Sequence, residues 1–217
     1  MPLIYNTIPR VEEASKSLAE LQASVLPELR ALLVKYKLQS SFGIVLVHRH
    51  FDLINAEEQV VDLSGPDTVV SSVFTSGQPN AQVVDEYKLD VPDPFAVVPA
   101  KFLVRDELIP YEYKCVPKVQ ETQYSSRRSG LPPSFLKSWS NILGKYFAKD
   151  KMGLVDMLAE DDIEGFERSD AKRRLNIVTA HSLSAERRQY IPTMWQSDSS
   201  PNRPSRTCVC NGRHIEG

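Results

Sequence analysis

Cysteine is scarce in this chain: Cys115, Cys208 and Cys210 are the three present. A small, odd number argues against a disulfide framework and predicts free thiols. Cys208 and Cys210, one residue apart, are too close for an unstrained bridge. Long apolar runs are also missing. Ile44 to Val47 falls far short of the roughly 20 residues that span a bilayer. No basic segment followed by a long apolar core opens the sequence, so no signal peptide is expected. These absences predict a soluble, cytoplasmic chain with no membrane partner. A large charge of one sign is lacking too, since the formal net charge is −2. That gives no general drive toward nucleic acid. The first 100 residues lean acidic, with 13 Asp+Glu against 7 Lys+Arg, and the remainder leans basic, with 19 Lys+Arg against 15 Asp+Glu. Such an asymmetry fits surface solvation better than a nucleic-acid footprint. Gly-x-Ser-x-Gly, Gly-x4-Gly-Lys and Gly-x-Gly-x2-Gly do not occur, so serine-hydrolase, phosphate-loop and dinucleotide chemistries have no support.

At 217 residues the chain can bury a core, and its 41% hydrophobic content is that of a globular protein. A single domain over residues 1–217 is expected. Val11, Ala14, Leu18, Leu21, Val25, Leu29, Leu32 and Tyr36 recur at spacings of three and four, which predicts an amphipathic helix. Thr7 is its candidate cap, Pro9 suits the first turn, and Pro27 should kink or split it. The stripe keeps its phase across Pro27, so both pieces should cover one sheet face.

A β-rich middle follows. Phe42 to Leu53 reads as a strand, with Glu58 to Leu63 returning after a connection of hairpin length. Val69 to Thr75, Gln82 to Leu89, Lys101 to Leu108 and Tyr111 to Val116 are further candidates. Short turns without intervening helices imply antiparallel pairing. Residues 120–133 read as a basic loop. Ser134 to Lys149 reads as a second helix with a broad apolar face, and Leu154 to Leu158 as a short helix. Lys172-Arg173-Arg174 reads as a solvated turn. Leu175 to His181 looks like a strand, and residues 196–206 like a mobile loop. The fold class expected is α+β: an N-terminal helix on a mostly antiparallel β-sheet, with a second helix in the C-terminal half.

The chemistry-bearing residues are few. His48, His50, His181 and His214 are the four histidines. On a strand, His48, His50 and Asp52 share one side. His181 ends another expected strand, and His214 follows Cys208 and Cys210. Imidazole and carboxylate are ligands of zinc and iron. The expected metal ligands are therefore His48, His50, His181 and His214. Asp52 and Glu58 are the carboxylates for a fourth ligand, a general base or a ligand's partner. The bland alternative is a pair of hydrogen-bonded histidines at a strand end. A cysteine–histidine nucleophile is a second enzyme reading, for which no pair is marked.

The segment His48-Arg49-His50 followed by a carboxylate resembles part of the cupin metal motif, although the flanking glycines are missing and the spacing to Glu57 is longer than that motif uses. Leu46-Val47-His48-Arg49-His50-Phe51-Asp52-Leu53 resembles a segment of small intracellular fungal proteins of unassigned function, a likeness that implies no activity. Two functions stay open: a small zinc- or iron-dependent enzyme acting on a small molecule, or a non-catalytic binding or accessory protein using its sheet or N-terminal helix.

Overall fold

The computed structural model describes residues 2–53, 57–65, 68–75, 95–157, 165–170, 175–180, 191–196 and 206–208. The expected strand at 82–89, the turn at Lys172–Arg174, most of the 196–206 loop, and His181, Cys210 and His214 lie outside these residues.

The N-terminal helical stripe forms, but in pieces. Helices α1 (Pro2–Thr7), α2 (Val11–Ser15) and α3 (Leu18–Glu20) lead through a π-helical turn at Leu21–Val25 into α4 (Leu26–Lys35). Thr7 closes α1 instead of capping a longer helix, and its hydroxyl donates to the Ile4 carbonyl at 2.7 Å. Pro27 sits in the first turn of α4. Its ring would clash with the carbonyl four residues back, and the wide π turn just before it accommodates that. Val11, Ala14, Leu21, Val25, Leu29 and Leu32 are all buried, as the stripe predicts.

Among the described residues ten strands follow: β1 (Phe42–Leu46), β2 (Glu57–Gly65), β3 (Thr68–Thr75), β4 (Phe95–Val104), β5 (Leu108–Pro117), β6 (Met152–Asp156), β7 (Gly165–Asp170), β8 (Leu175–Ala180), β9 (Ile191–Trp195) and β10 (Arg206–Cys208). They close into a barrel in the order β1-β6-β4-β5-β2-β3-β8-β7-β10-β9. Among the described strands, only the β2–β5 and β7–β10 pairs are parallel. The class is thus α+β with a mostly antiparallel sheet.

Three expectations need correction. Strand β1 stops at Leu46 and does not form a hairpin with β2, because β6 and β9 occupy its two edges. Met152–Asp156 is a strand, not a helix. A short run buried throughout has no periodicity to tell the two apart. Helix α5 (Lys118–Ser129) replaces the basic loop. Its sequence is nearly all polar, so it shows no stripe. It is held by Tyr124, which packs on Val98, Ala100 and Val116. The second helix, α6 (Pro133–Lys145), falls where expected.

Directly paired residues share a face of the wall. Phe102 lies opposite Leu154, Leu154 opposite Ile44, and Ile44 opposite Trp195. These four pack with Leu29 and Leu33 of α4 and with Phe135 and Trp139 of α6, so this face is the outer one. Helices α4 and α6 run antiparallel over it: Tyr36 meets Phe135 edge-on, and Lys145 bonds Glu28 at 2.7 Å. The opposite set, Val45, Met194, Val155, Lys101 and Glu112, turns into the barrel. The register carries this inner face from β5 through β2 and β3 to Asn176 on β8 and Glu167 on β7.

Candidate metal centre

The chain leaves regular strand geometry after Leu46, and the alternation that put Ile44, Leu46 and His48 on one side ends there. Ile44 and Leu46 stay under the helices, whereas His48 and His50 meet Glu167 on the inner wall. Helix α1 and the turn after it fix this exit. The Arg49 amide donates to the Pro9 carbonyl at 2.9 Å, and the His50 amide donates to the Tyr5 hydroxyl at 3.2 Å. The Leu53 amide donates to the Asn6 side chain at 2.8 Å. Tyr5 and Ile8 also pack on Val47, Phe51 and Leu53.

His48 Nε2 lies 3.8 Å from Glu167 Oε2, and His50 Nε2 lies 3.3 Å from Glu167 Oε1. The two rings meet edge to face, with centroids 4.7 Å apart. One ligand atom from each of the three residues falls within 4.8 Å of the other two. Metal bonds of about 2.0–2.1 Å place neighbouring ligand atoms about 3–3.4 Å apart; the His50–Glu167 separation of 3.3 Å falls in that range and the His48–Glu167 separation of 3.8 Å lies above it. The side chains of His48 and Glu167 are each 2% exposed and that of His50 is 0%.

The hydrogen bonds decide the state of His48. Its Nδ1 lies 2.9 Å from the Leu46 carbonyl, which can only accept, so Nδ1 carries the proton. In the neutral ring Nε2 then carries the lone pair, and it has no hydrogen-bond partner among the described residues. Burial, aided by the charge of His50, lowers the His48 pKa to about 4 and keeps the ring neutral at pH 7. The 3.8 Å approach to Glu167 is therefore not an ion pair at neutral pH. A lone pair faces a carboxylate oxygen.

Glu167 is held from the other side. Asn176 donates to its Oε1, and Thr193 donates to its Oε2 at 3.3 Å. A register shift between β9 and β10 leaves Thr193 unpaired in that ladder, beside the carboxylate. Burial would raise the Glu167 carboxyl, but the charge of His50, its hydrogen bond and the charge of Lys101 outweigh it. The pKa ends well below the usual range, so the group is a carboxylate.

Of the residues expected from sequence, His48 and His50 are brought together. Asp52 is not with them: it is exposed and pairs with Arg49 at 2.9 Å and Arg10 at 3.6 Å. Glu58 lies on β2, and its side chain falls outside the described set, as do His181 and His214 altogether. Glu167 was not among the expected residues. It sits in the polar stretch Gly165-Phe166-Glu167-Arg168-Ser169-Asp170, which carries no strand pattern strong enough to single it out. The chain matches no family model, no curated protein and no solved structure.

Proposed function

We propose that the chain holds one divalent transition ion, zinc or ferrous iron, between His48, His50 and Glu167, and works as a small metal-dependent enzyme on a small molecule. One observation carries this reading: two buried acceptors, the His48 Nε2 lone pair and Glu167 Oε2, face each other at 3.8 Å. Two acceptors repel, and the buried His48 lone pair, which has no donor among the described residues, is costly. A cation between them satisfies both. Two imidazoles and one carboxylate form the ligand set of catalytic zinc and of non-haem iron, with coordination positions left open. The carboxylate comes from β7, far along the chain from the two histidines. The Leu46 carbonyl on His48, and Asn176 and Thr193 on Glu167, are the outer hydrogen bonds that orient such ligands. When bound, the ion supplies a Lewis acid or an activated water.

Two observations weigh against the accessory-protein alternative. The apolar stripe of the N-terminal helices is buried on the barrel wall, and the described strands close on themselves without a free edge.

Elemental analysis of the purified protein should find about one equivalent of zinc or iron, absent from Glu167→Gln protein with the same circular dichroism. An open coordination position should show as a shift in the visible spectrum of the cobalt(II)-loaded protein on adding imidazole. Wild-type protein that takes up none of these metals rejects the reading. Uptake with no imidazole response makes the site structural.

A further inference from the structure

The three ligands of the proposed centre are held by two different parts of the fold. His48 and Glu167 are held by the barrel. The Val47 amide donates to the Lys151 carbonyl at 2.8 Å, and His48 Nδ1 to the Leu46 carbonyl at the end of β1. Glu167 stands on β7 between Asn176 and Thr193. His50 is instead placed by residues 5–9. The Arg49 amide donates to the Pro9 carbonyl, the His50 amide to the Tyr5 hydroxyl, and the Leu53 amide to Asn6 Oδ1. Asn6 Nδ2 also donates to the Leu53 carbonyl at 2.7 Å, so one side chain satisfies both backbone groups of Leu53. The dependence runs both ways. Helix α1 has six residues, too few to persist alone in water, and the carbonyls at its end need donors. The Arg49 guanidinium supplies them, donating to the Asn6 and Ile8 carbonyls. Tyr5 and Ile8 pack with Val47, Phe51 and Leu53 in a cluster separate from the one beneath α4 and α6. Helix α1 and residues 49–53 therefore form a unit that can undock without opening the main core.

Resting on the proposed metal site, we infer that docking of α1 and metal loading are one coupled equilibrium, with Asn6 and Tyr5 as the positioning residues of His50. An ion bound to His50 on one side and to His48 and Glu167 on the other ties the clamped segment to the barrel. Metal uptake then locks α1 in place, and loosening α1 lowers metal affinity by the same factor. Only the docked state offers all three ligands, so the apparent Kd rises as the docked fraction falls.

The test pairs hydrogen exchange with zinc titration against a competing chelator, both on the full chain. Zinc should slow amide exchange over residues 2–10. Asn6→Ala, which removes both bonds to Leu53, should weaken zinc binding about tenfold, as loss of a partner that orients a ligand does. Tyr5→Phe keeps the ring in its cluster and loses only the acceptor of the His50 amide. It should weaken zinc in the same direction, and it carries the test should Asn6→Ala fail to fold. Leu33→Val, which trims the fully buried main core away from the clamp, should leave zinc affinity unchanged at a temperature where every variant is folded. Weakening by Leu33→Val as large as by Tyr5→Phe would trace the effect to general stability and overturn the inference. Exchange over residues 2–10 that is equally fast with and without zinc also overturns it, as does wild-type affinity in both clamp variants, and each leaves the metal site standing. Wild-type protein that takes up no zinc rejects the metal reading and this inference with it.

Discussion

At the scale of single residues, His48 links site chemistry to stability. Its pKa is about 4 in the folded chain because burial disfavours the charged ring, against 6.5 when exposed. The folded pKa is the lower one, so the unfolded chain binds more protons between these values. Stability is therefore full above about pH 6.5 and is lost as pH falls toward 4, by an amount on the order of 3 kcal/mol for this group. Melting curves of metal-free protein from pH 7 to 4.5 should show wild type losing stability faster than His48→Gln. Parallel curves would reject a buried neutral His48. The histidine pair was legible in the sequence because His48 and His50 are two residues apart and imidazoles are rare here. The side-sharing argument placed Asp52 with them, which fails because the strand ends at Leu46 and Arg49 and Arg10 draw Asp52 outward. Glu167 was illegible: nothing within Gly165–Asp170 distinguishes a buried carboxylate from a solvated one.

At the scale of elements, apolar periodicity read well where an element has one wet face. The N-terminal stripe and α6 are of this kind. Elements buried on both faces, such as β6, and elements held by one aromatic, such as α5, carry no usable period. Glycine substitutions test how these elements meet. A Cβ on Gly153 of β6 would stand 2.6 Å from the Phe102 carbonyl oxygen and 3.0 Å from Val47 Cγ2. Strand β4 would have to move, so Gly153→Ala should cost about 1–3 kcal/mol or more in chemical denaturation. Gly144 of α6 offers the opposite case. Its new Cβ would meet only Lys149 Cε at 3.4 Å, and a helix gains about 0.5–1 kcal/mol when alanine replaces glycine. Gly144→Ala should therefore raise the midpoint. Similar behaviour of the two variants would contradict the described packing of β6 against β4.

At the scale of the whole molecule, the antiparallel character of the middle was legible from short turns, but closure was not. The barrel closes through β1 against β6 and β9, partners more than 100 residues away, and no local pattern encodes such register. The same closure makes the candidate metal site a property of the folded state. His48 and His50 leave β1, Glu167 stands on β7, and 116 residues lie between His50 and Glu167. An unfolded chain holds these groups apart and has little affinity for an ion shared among them. Binding to the folded state alone adds RT ln(1 + [metal]/Kd), about 2.7 kcal/mol at a hundredfold excess over Kd. For a chain of this length each kcal/mol moves the melting temperature by roughly 2–4 °C, so saturating zinc should raise it by about 5–10 °C. Excess chelator should reverse the rise, and Glu167→Gln should abolish it while leaving the metal-free melt cooperative. A rise of equal size in Glu167→Gln would place the ion elsewhere in the chain. A zinc-induced fall in the wild-type midpoint would mean tighter binding to the unfolded chain than to the site inside the barrel.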